Sequence, residues 1–115
     1  MNFDAAFKNI VDDYPSPMMV IDLEHTIRYL NKRAIKRYAH RGGSKLIGQS
    51  LFACHNPHSK ELILQAIERL QNDKDLTVGY EYYNEKHKEK LYIIAIRDED
   101  KNLIGYYERH IEEED

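Results

Sequence analysis

One short segment collects side chains that are able to bind a metal or act as a nucleophile. Residues 50–63, SLFACHNPHSKELI, contain Cys54, which is the only cysteine of the protein, together with His55 and His58. Imidazole and thiolate groups are ligands for zinc and for haem iron, and a thiolate is also a reactive nucleophile. The segment therefore suggests a metal site, a haem site or a reactive thiol.

A zinc site is not favoured. A zinc site takes three or four protein ligands, and the four histidines outside this segment are scattered singly along the chain. A haem needs one axial imidazole or thiolate beside an apolar slot. His55 is the best-placed axial ligand, and Cys54 or one of Met18 and Met19 is able to offer a second.

The same segment also has the sequence of a helix beginning. The Asn56 side chain is able to accept hydrogen bonds from the free amides of a first helical turn, and Pro57 suits the first helical position. This pattern predicts a helix over residues 57–71 whose apolar face includes Ile63. Cys54 is then a small buried side chain and His55 a histidine bonded to a backbone carbonyl. The free amides also attract anions, so a carboxylate ligand is able to bind beside them.

The rest of the chain predicts the elements that position this segment. Apolar residues at helical spacing predict an amphipathic helix over residues 3–14, and two apolar runs around Glu24–His25 predict a β-hairpin. A short helix from Asn31 and a further helical turn come next. Three strands follow the long helix, over residues 76–83, 89–97 and 102–110. Strands grouped around a helical middle indicate an α+β domain.

Six of the nine tyrosines lie in these last three strands. Alternate residues of a strand face opposite sides, so Tyr80 and Tyr82 share one face and Tyr83 lies on the other. One set is expected to line a cavity and to offer hydroxyl groups to a polar ligand. Cross-strand aromatic pairs that stabilise the sheet are the alternative.

Composition indicates one globular domain in a reducing compartment. A chain of 115 residues is long enough for one core, and 42% hydrophobic with 32% charged residues is ordinary for such a domain. The longest apolar runs are too short to cross a bilayer, and the acidic N-terminal region does not resemble a secretory signal. A single cysteine excludes an internal disulfide, which favours the cytoplasm.

Charge and motifs argue against nucleic-acid binding and catalysis. Six basic residues fall within residues 32–45 without an acidic one, but the net charge is −3 and no nucleic-acid motif is present. The basic stretch is therefore interpreted as the solvated face of a short helix. The sequence has no Ser-His-Asp or paired-carboxylate arrangement and no phosphate-binding glycine loop. A non-enzymatic protein without membrane or nucleic-acid partners is expected.

Five short pieces occur in a characteristic order between residues 9 and 110. They are Pro17-Met-Met-Val-Ile-Asp22, Ile27-Arg-Tyr-Leu-Asn31, Ala34, Leu46-Ile-Gly48 and Arg97-Asp98-Glu-Asp-Lys-Asn-Leu-Ile-Gly105. In this order and spacing the pieces resemble a PAS domain. The final turn carries Lys101-Asn102 where the family usually has glycine, and asparagine also tolerates left-handed backbone geometry.

A narrower resemblance rests on the segment at 50–63. Ile47-Gly48 followed by Cys54-His55-Asn56-Pro57-His58-Ser59 is similar to a bacterial PAS subgroup with a Cys-His-x-Pro step before the long helix. Members of that subgroup are often fused to haemerythrin-like or other regulatory domains. The light-sensing branch of the family places its reactive cysteine three residues after the glycine that Gly48 matches. This chain has Leu51 there, so a flavin is not expected.

The PAS resemblance implies a five-stranded antiparallel sheet with strand order 2-1-5-4-3 and flanking helices. It divides the chain into an N-terminal amphipathic helix over 1–14, a PAS domain over 15–110 and an acidic tail over 111–115. Domains of this family form a cavity against the inner face of the sheet, which is implied here between the sheet and residues 31–63. The expected ligand-binding residues are His55, Cys54, His58, Ile63, Tyr80, Tyr82, Tyr92 and Asn31.

The resemblance implies a sensory module that binds a small ligand in this cavity. A ligand-free module that dimerises or binds other proteins is the alternative, and a haem-based gas or redox sensor that uses His55 is a second alternative. The motif does not identify the cofactor. A homodimer through the N-terminal helix and the sheet face is expected, and the chain is either free-standing or part of a larger regulator.

Overall fold

The computed structural model describes residues 2–112, without the side chains of Cys54 and Glu112. Its α-helices are α1 (Phe3–Asp13), α2 (Lys32–Arg37) and α3 (Pro57–Asn72). Its strands are β1 (Met18–Asp22), β2 (Ile27–Leu30), β3 (Val78–Asn84), β4 (Glu89–Arg97) and β5 (Leu103–Glu112). Short 3-10 turns at Ala39–Arg41, Gly43–Leu46 and Leu51–Cys54 connect α2 to α3. No helix within residues 2–112 is long and apolar enough to cross a membrane.

The five strands form one antiparallel sheet in the order β2-β1-β5-β4-β3. The predicted α+β fold and its strand order are therefore confirmed. β5 is the central strand, since it pairs with β1 on one side and with β4 on the other. β5 continues to Glu112, into the stretch interpreted as an acidic tail, and residues 113–115 of that tail lie outside the described residues.

Gly105 lies on β5 close to the backbone of β1. A Cβ atom at this position would lie 2.7 Å from the carbonyl oxygen of Ile21, so a larger residue would force the strands apart. This close contact helps to fix the register in which Ile21 pairs with Tyr106 and Met19 with Glu108. Because alternate residues of a strand face opposite sides, the register also decides which face of the sheet β5 presents to α3.

α3 covers the face of the sheet that we call the inner face, and its second half packs directly on β3 and β4. Its buried residues recur three or four positions apart and are Ile63, Ala66, Ile67 and Leu70. The approach is closest at Gly79, where a Cβ atom would lie 2.9 Å from the Ala66 carbonyl oxygen. Arg69 fastens the contact by donating hydrogen bonds of 2.6 and 3.1 Å to the Gly79 carbonyl oxygen.

The beginning of α3 has the capping arrangement that the sequence predicts. The Asn56 side chain accepts a hydrogen bond of 2.8 Å from the Ser59 amide, and Pro57 is the first helical residue. Proline fits this position because its missing amide proton would have no partner in the first turn. The prediction of a helix start at this point is confirmed.

Asn31 is fully buried and joins three parts of the fold. Its side-chain oxygen accepts hydrogen bonds of 2.9 Å from the Ala34 amide, which caps α2, and from the Met18 amide of β1. Its side-chain nitrogen donates to the carbonyl oxygens of Val11 and Ser16 at 3.0 and 2.9 Å. The amide is thus occupied by backbone partners, and it holds α1, β1 and α2 together.

Replacing Asn31 by alanine is expected to destabilise the protein far more than the same change at Asn56. Asn31→Ala leaves buried backbone groups without partners, at a cost of about 3 kcal/mol or more. Asn56→Ala removes one exposed cap, which typically costs about 1 kcal/mol. Urea unfolding of the two variants and the wild type measures both changes in the free energy of unfolding. Equal losses would contradict the central structural role of Asn31.

Candidate ligand-binding site

A cavity of about 560 Å³ lies between the inner face of the sheet and the segment that leads from β2 into α3. Apolar side chains form most of its wall, and they include Met19, Ile27, Leu51, Ile63, Leu91 and Ile93. A small number of polar side chains interrupt this wall. Cavities of roughly 300–1,000 Å³ with such walls are typical of small-molecule sites.

Glu108 lies on the inner face of the central strand, at the floor of this cavity. Its strand neighbours are Met19 on β1 and Ile93 on β4, both of which are apolar and buried. The residue is only 5% exposed, and no hydrogen bond or ion pair joins its carboxyl group to a described side chain. Burial raises the pKa of Glu108 to about 7.

Glu89 is also buried on the inner face, but it has two partners. The Arg37 guanidinium donates to both carboxylate oxygens at 2.6 and 3.2 Å, and His110 Nδ1 lies 2.8 Å from Oε1. Burial alone would raise the pKa of Glu89, but the hydrogen bonds from Arg37 and His110 hold it below its ordinary value. Burial lowers the pKa of His110, which favours the neutral imidazole, and a proton on Nδ1 would be donated to Glu89. The His110 Nε2 atom then accepts from Tyr38 Oη at 3.3 Å.

Residues of the segment 50–63 form much of the rim of the cavity. His55, His58 and Ser59, at the beginning of α3, line the opening together with Arg41. His55 is half-buried, and its pKa is lowered first by burial and then by the nearby Arg41 charge, which favours the neutral imidazole. The exposed Arg41 side chain makes no hydrogen bond or ion pair with the described residues, so its charge is available to a ligand.

Tyrosine side chains line the cavity from two directions. Tyr80 and Tyr82 lie on the β3 side, and Tyr38 follows α2. Tyr92 does not reach the cavity, because its neighbours Leu91 and Ile93 occupy the inner face of β4 and strand alternation turns Tyr92 outward. The guanidinium carbon of Arg109 lies 5.8 Å from the centre of the Tyr92 ring.

The structure brings together five of the eight expected ligand-binding residues: His55, His58, Ile63, Tyr80 and Tyr82. Asn31 and Tyr92 lie elsewhere, the first bonded to the backbone and the second on the opposite face of the sheet. The side chain of Cys54 lies outside the described part of the structure. The ligand roles of the five clustered residues stay predictions.

Sequence reasoning missed Glu108 and Arg41. The available signal for Glu108 was its spacing from Tyr106 and His110, since all three share one face of a strand. In the structure, Tyr106 and His110 are both buried on this face and both have a partner. Tyr106 Oη lies 2.8 Å from His25 Nδ1, and His110 Nδ1 lies 2.8 Å from Glu89 Oε1. Arg41 was grouped with the basic residues of a solvated helix face, but it follows α2 and turns toward the opening.

The residues present do not fit zinc or haem well. Within the described side chains, no three histidine, aspartate or glutamate residues cluster closely enough to hold a metal ion. A neutral His55 suits an axial haem ligand. However, a haem in this cavity would place apolar macrocycle near the Glu108 carboxyl without supplying a hydrogen-bond donor. The cavity therefore does not suit haem.

Comparisons with known proteins agree with this architecture. A family model described as PAS fold matches residues 5–107. Comparison with curated proteins gives no match.

Solved structures share the fold at low sequence identity. A C-terminal domain from Streptococcus mutans aligns with a TM-score of 0.71 and 16% identity, over 97% of this chain and 85% of its own. The PAS domain of a protein from Colwellia psychrerythraea aligns with a TM-score of 0.65 and 19% identity, over 97% of this chain and 98% of its own. The Aer2 receptor from Vibrio cholerae, described as a dual PAS-heme oxygen sensor, aligns with a TM-score of 0.57 and 18% identity, over 84% of this chain and 92% of its own. These identities establish a common fold and no more.

Replacing Glu108 by glutamine is expected to remove a pH-dependent loss of stability. The pKa of Glu108 rises from an ordinary 4.5 to about 7 on folding, so the unfolded chain gives up this proton first. Stability of the wild type is therefore lost as the pH rises between these values. Since one pKa unit is about 1.4 kcal/mol, Glu108→Gln is expected to be more stable by roughly 3 kcal/mol at about pH 8 and by little at about pH 4.

Urea unfolding at these two pH values measures the difference. Glu68→Gln, on the exposed face of α3, is the control and should keep the pH dependence of the wild type. If Glu108→Gln and the wild type are equally stable at about pH 8, the Glu108 carboxyl has a partner and its assignment as unpaired is wrong.

Proposed function

Because this chain belongs to the PAS fold family, we propose that it is a sensory module that binds a small organic ligand in the cavity beside Glu108. The observation that carries the proposal is a space of about 560 Å³ with apolar walls and a buried carboxyl that no described residue pairs with. Such a space and such a carboxyl each cost stability. A ligand that occupies the space and pairs with the carboxyl offsets both costs.

The remaining parts of the proposal follow from the family and the composition. PAS domains are generally sensory modules without catalysis, and we propose the same for this chain. We further propose that it acts in the cytoplasm of a bacterium, without membrane or nucleic-acid partners. The single cysteine, the weakly acidic charge and the resemblance to a bacterial subgroup support these points.

A ligand signal has a short route out of the cavity. Met19 lines the cavity, and the amide of the preceding Met18 donates to the Asn31 side chain. Asn31 in turn donates to the Val11 carbonyl oxygen in the last turns of α1. A shift of β1 on ligand binding would therefore be passed to α1, which would carry it to a partner.

Filling the cavity with a larger side chain is expected to abolish ligand binding. Leu62 is half-buried in the cavity wall on α3, whereas Leu64 lies on the exposed side of the same helix. Leu62→Trp should occupy the ligand space, and Leu64→Trp is the matched control. Native mass spectrometry of untreated protein should detect a bound small molecule with the wild type and with Leu64→Trp, and none with Leu62→Trp.

Two other outcomes would give a different function. If nothing co-purifies and no metabolite in a broad set raises the melting temperature, ligand sensing is wrong, because a bound ligand must stabilise the folded state. If added haem gives a sharp Soret band that His55→Ala removes, the protein is a haem sensor and the fit argued from Glu108 is wrong.

A second candidate function is homodimerisation through α1 and the sheet face, with or without a ligand. No residue of α1 is buried, and its apolar stripe is largely exposed, with Phe3 at 67%, Phe7 at 60% and Ile10 at 65%. The rings of Phe3 and Phe7 stack with their centres 6.1 Å apart. A second copy offers the same uncharged stripe, so a two-fold interface would bury both stripes at once.

The substitution Phe7→Glu is expected to weaken such a dimer by about tenfold or more, because it places a charge in the centre of an apolar contact. Asn9→Glu adds the same charge on the other side of α1 and should leave the dimer unchanged. Sedimentation over a range of protein concentrations measures both dissociation constants. A wild-type protein that stays monomeric at all concentrations would rule out the homodimer.

A further inference from the structure

We propose that the ligand of this cavity is a compact nitrogenous base, an apolar ring or chain whose N–H groups donate to the Glu108 carboxyl. The inference rests on the proposed sensory function, because it names the class of ligand for the same cavity. Among the described residues, Glu108 is a buried carboxyl without a hydrogen-bond partner, apolar groups surround it, and a positive charge lies at the rim.

First, the two buried glutamates of the inner face differ in their partners. Glu89 and Glu108 are both buried, and the fold gives Glu89 a bidentate bond from Arg37 and a bond from His110. The Glu108 carboxyl accepts no hydrogen bond from the described side chains, although Glu108 lies only two positions from His110. Buried polar groups are almost always hydrogen-bonded, so an unpaired one in a cavity calls for a donor from the ligand.

The second step is the chemistry that a carboxyl at this position accepts. An ionised carboxylate only accepts hydrogen bonds, and bonds from charged nitrogen donors are the strongest it makes. Amines, amidines and amino-heterocycles carry such donors. The side chains beside Glu108, Met19 and Ile93, are apolar and would contact the hydrocarbon part of the same molecule.

The third step is the position of the positive charge. The Arg41 side chain lies at the rim, where it makes no hydrogen bond or ion pair with the described residues. Burial and the Arg41 charge lower the pKa of His55, which favours the neutral imidazole. An acidic ligand would be drawn to Arg41 and repelled by an ionised Glu108. A basic group at the floor is attracted to Glu108 and lies away from the Arg41 charge at the rim, so the base is expected to enter with its nitrogen end inward.

Three probes with the same ring distinguish these cases: benzamidine, benzoate and benzyl alcohol. Calorimetric titration at about pH 8 should show benzamidine binding at least about tenfold more tightly than the other two, since only it offers charged N–H donors. Glu108→Gln should weaken benzamidine by about tenfold and leave benzyl alcohol unchanged. Leu62→Trp should abolish the binding of all three probes.

The pH provides an independent readout. Protons compete with benzamidine for Glu108, so its affinity should fall by about tenfold between about pH 8 and about pH 6 in the wild type and stay constant in Glu108→Gln. Among the described residues, the other titratable or charged groups of the inner face and the cavity wall are Arg37, Tyr38, Arg41, His55, His58, Tyr80, Tyr82, Glu89, Tyr106 and His110. They are present in both proteins, so a pH dependence that survives in Glu108→Gln belongs to them and overturns the assignment.

The outcomes separate the ligand class from the proposed function. Tighter binding of benzoate or benzyl alcohol, blocked by Leu62→Trp, would overturn the nitrogenous base while keeping a ligand-binding cavity. Benzamidine binding that is insensitive to Glu108→Gln would also overturn it. Binding of none of the three probes would overturn the class as well, and the small molecule detected by native mass spectrometry would then decide the function on its own.

Discussion

The pairing of β5 with β1 on one side and with β4 on the other is the constraint on which the site depends. A central strand has no edge, so its inward side chains are surrounded by neighbouring strands and are cut off from water. Three such positions carry Tyr106, Glu108 and His110. Tyr106 bonds to His25 and His110 bonds to Glu89, whereas the Glu108 carboxyl has no partner among the described residues. The pairing of the central strand, more than the residues of the rim, therefore sets the position of the Glu108 carboxyl.

The cavity exists because α3 is held close to the sheet at one end only. Gly79 allows the helix backbone at Ala66 to approach β3, and Arg69 bonds across that contact. The first turns of the helix, with His58, Ser59 and Leu62, line the cavity instead of packing on the strands. The cap at Asn56 fixes where the helix begins and so places the rim. The segment at 50–63, whose residue types suggest a metal site, forms part of the rim of the cavity.

The sequence is informative where a local pattern decides the structure. Helical spacing predicted α1 and α3, Asn56-Pro57 predicted the start of α3, and the PAS resemblance supplied the strand order. The faces of β4 could not be predicted, because residues 91–96 are almost uniformly apolar and give no alternation to place Tyr92.

The burial of Glu108 was beyond the sequence for a different reason. It depends on Met19 and Ile93, which come from strands far apart in the chain. Asn31 has the same kind of explanation, since its four backbone partners are Val11, Ser16, Met18 and Ala34. The sequence predicted a short helix that begins at Asn31 but could not show that the Asn31 amide is fully occupied.

The attachment of α1 has a mechanical consequence. Its side-chain hydrogen bonds to other described elements are both near its C-terminal end, where Asn31 binds the Val11 carbonyl oxygen and Tyr29 Oη donates to Asp12 at 2.6 Å. Eleven residues of α-helix extend about 16 Å. A rotation of about 5° at the anchored end would therefore move Phe3 by more than about 1 Å. α1 has the geometry of a lever whose fulcrum lies at its contacts with Tyr29 and Asn31 and whose long arm carries Phe3 and Phe7.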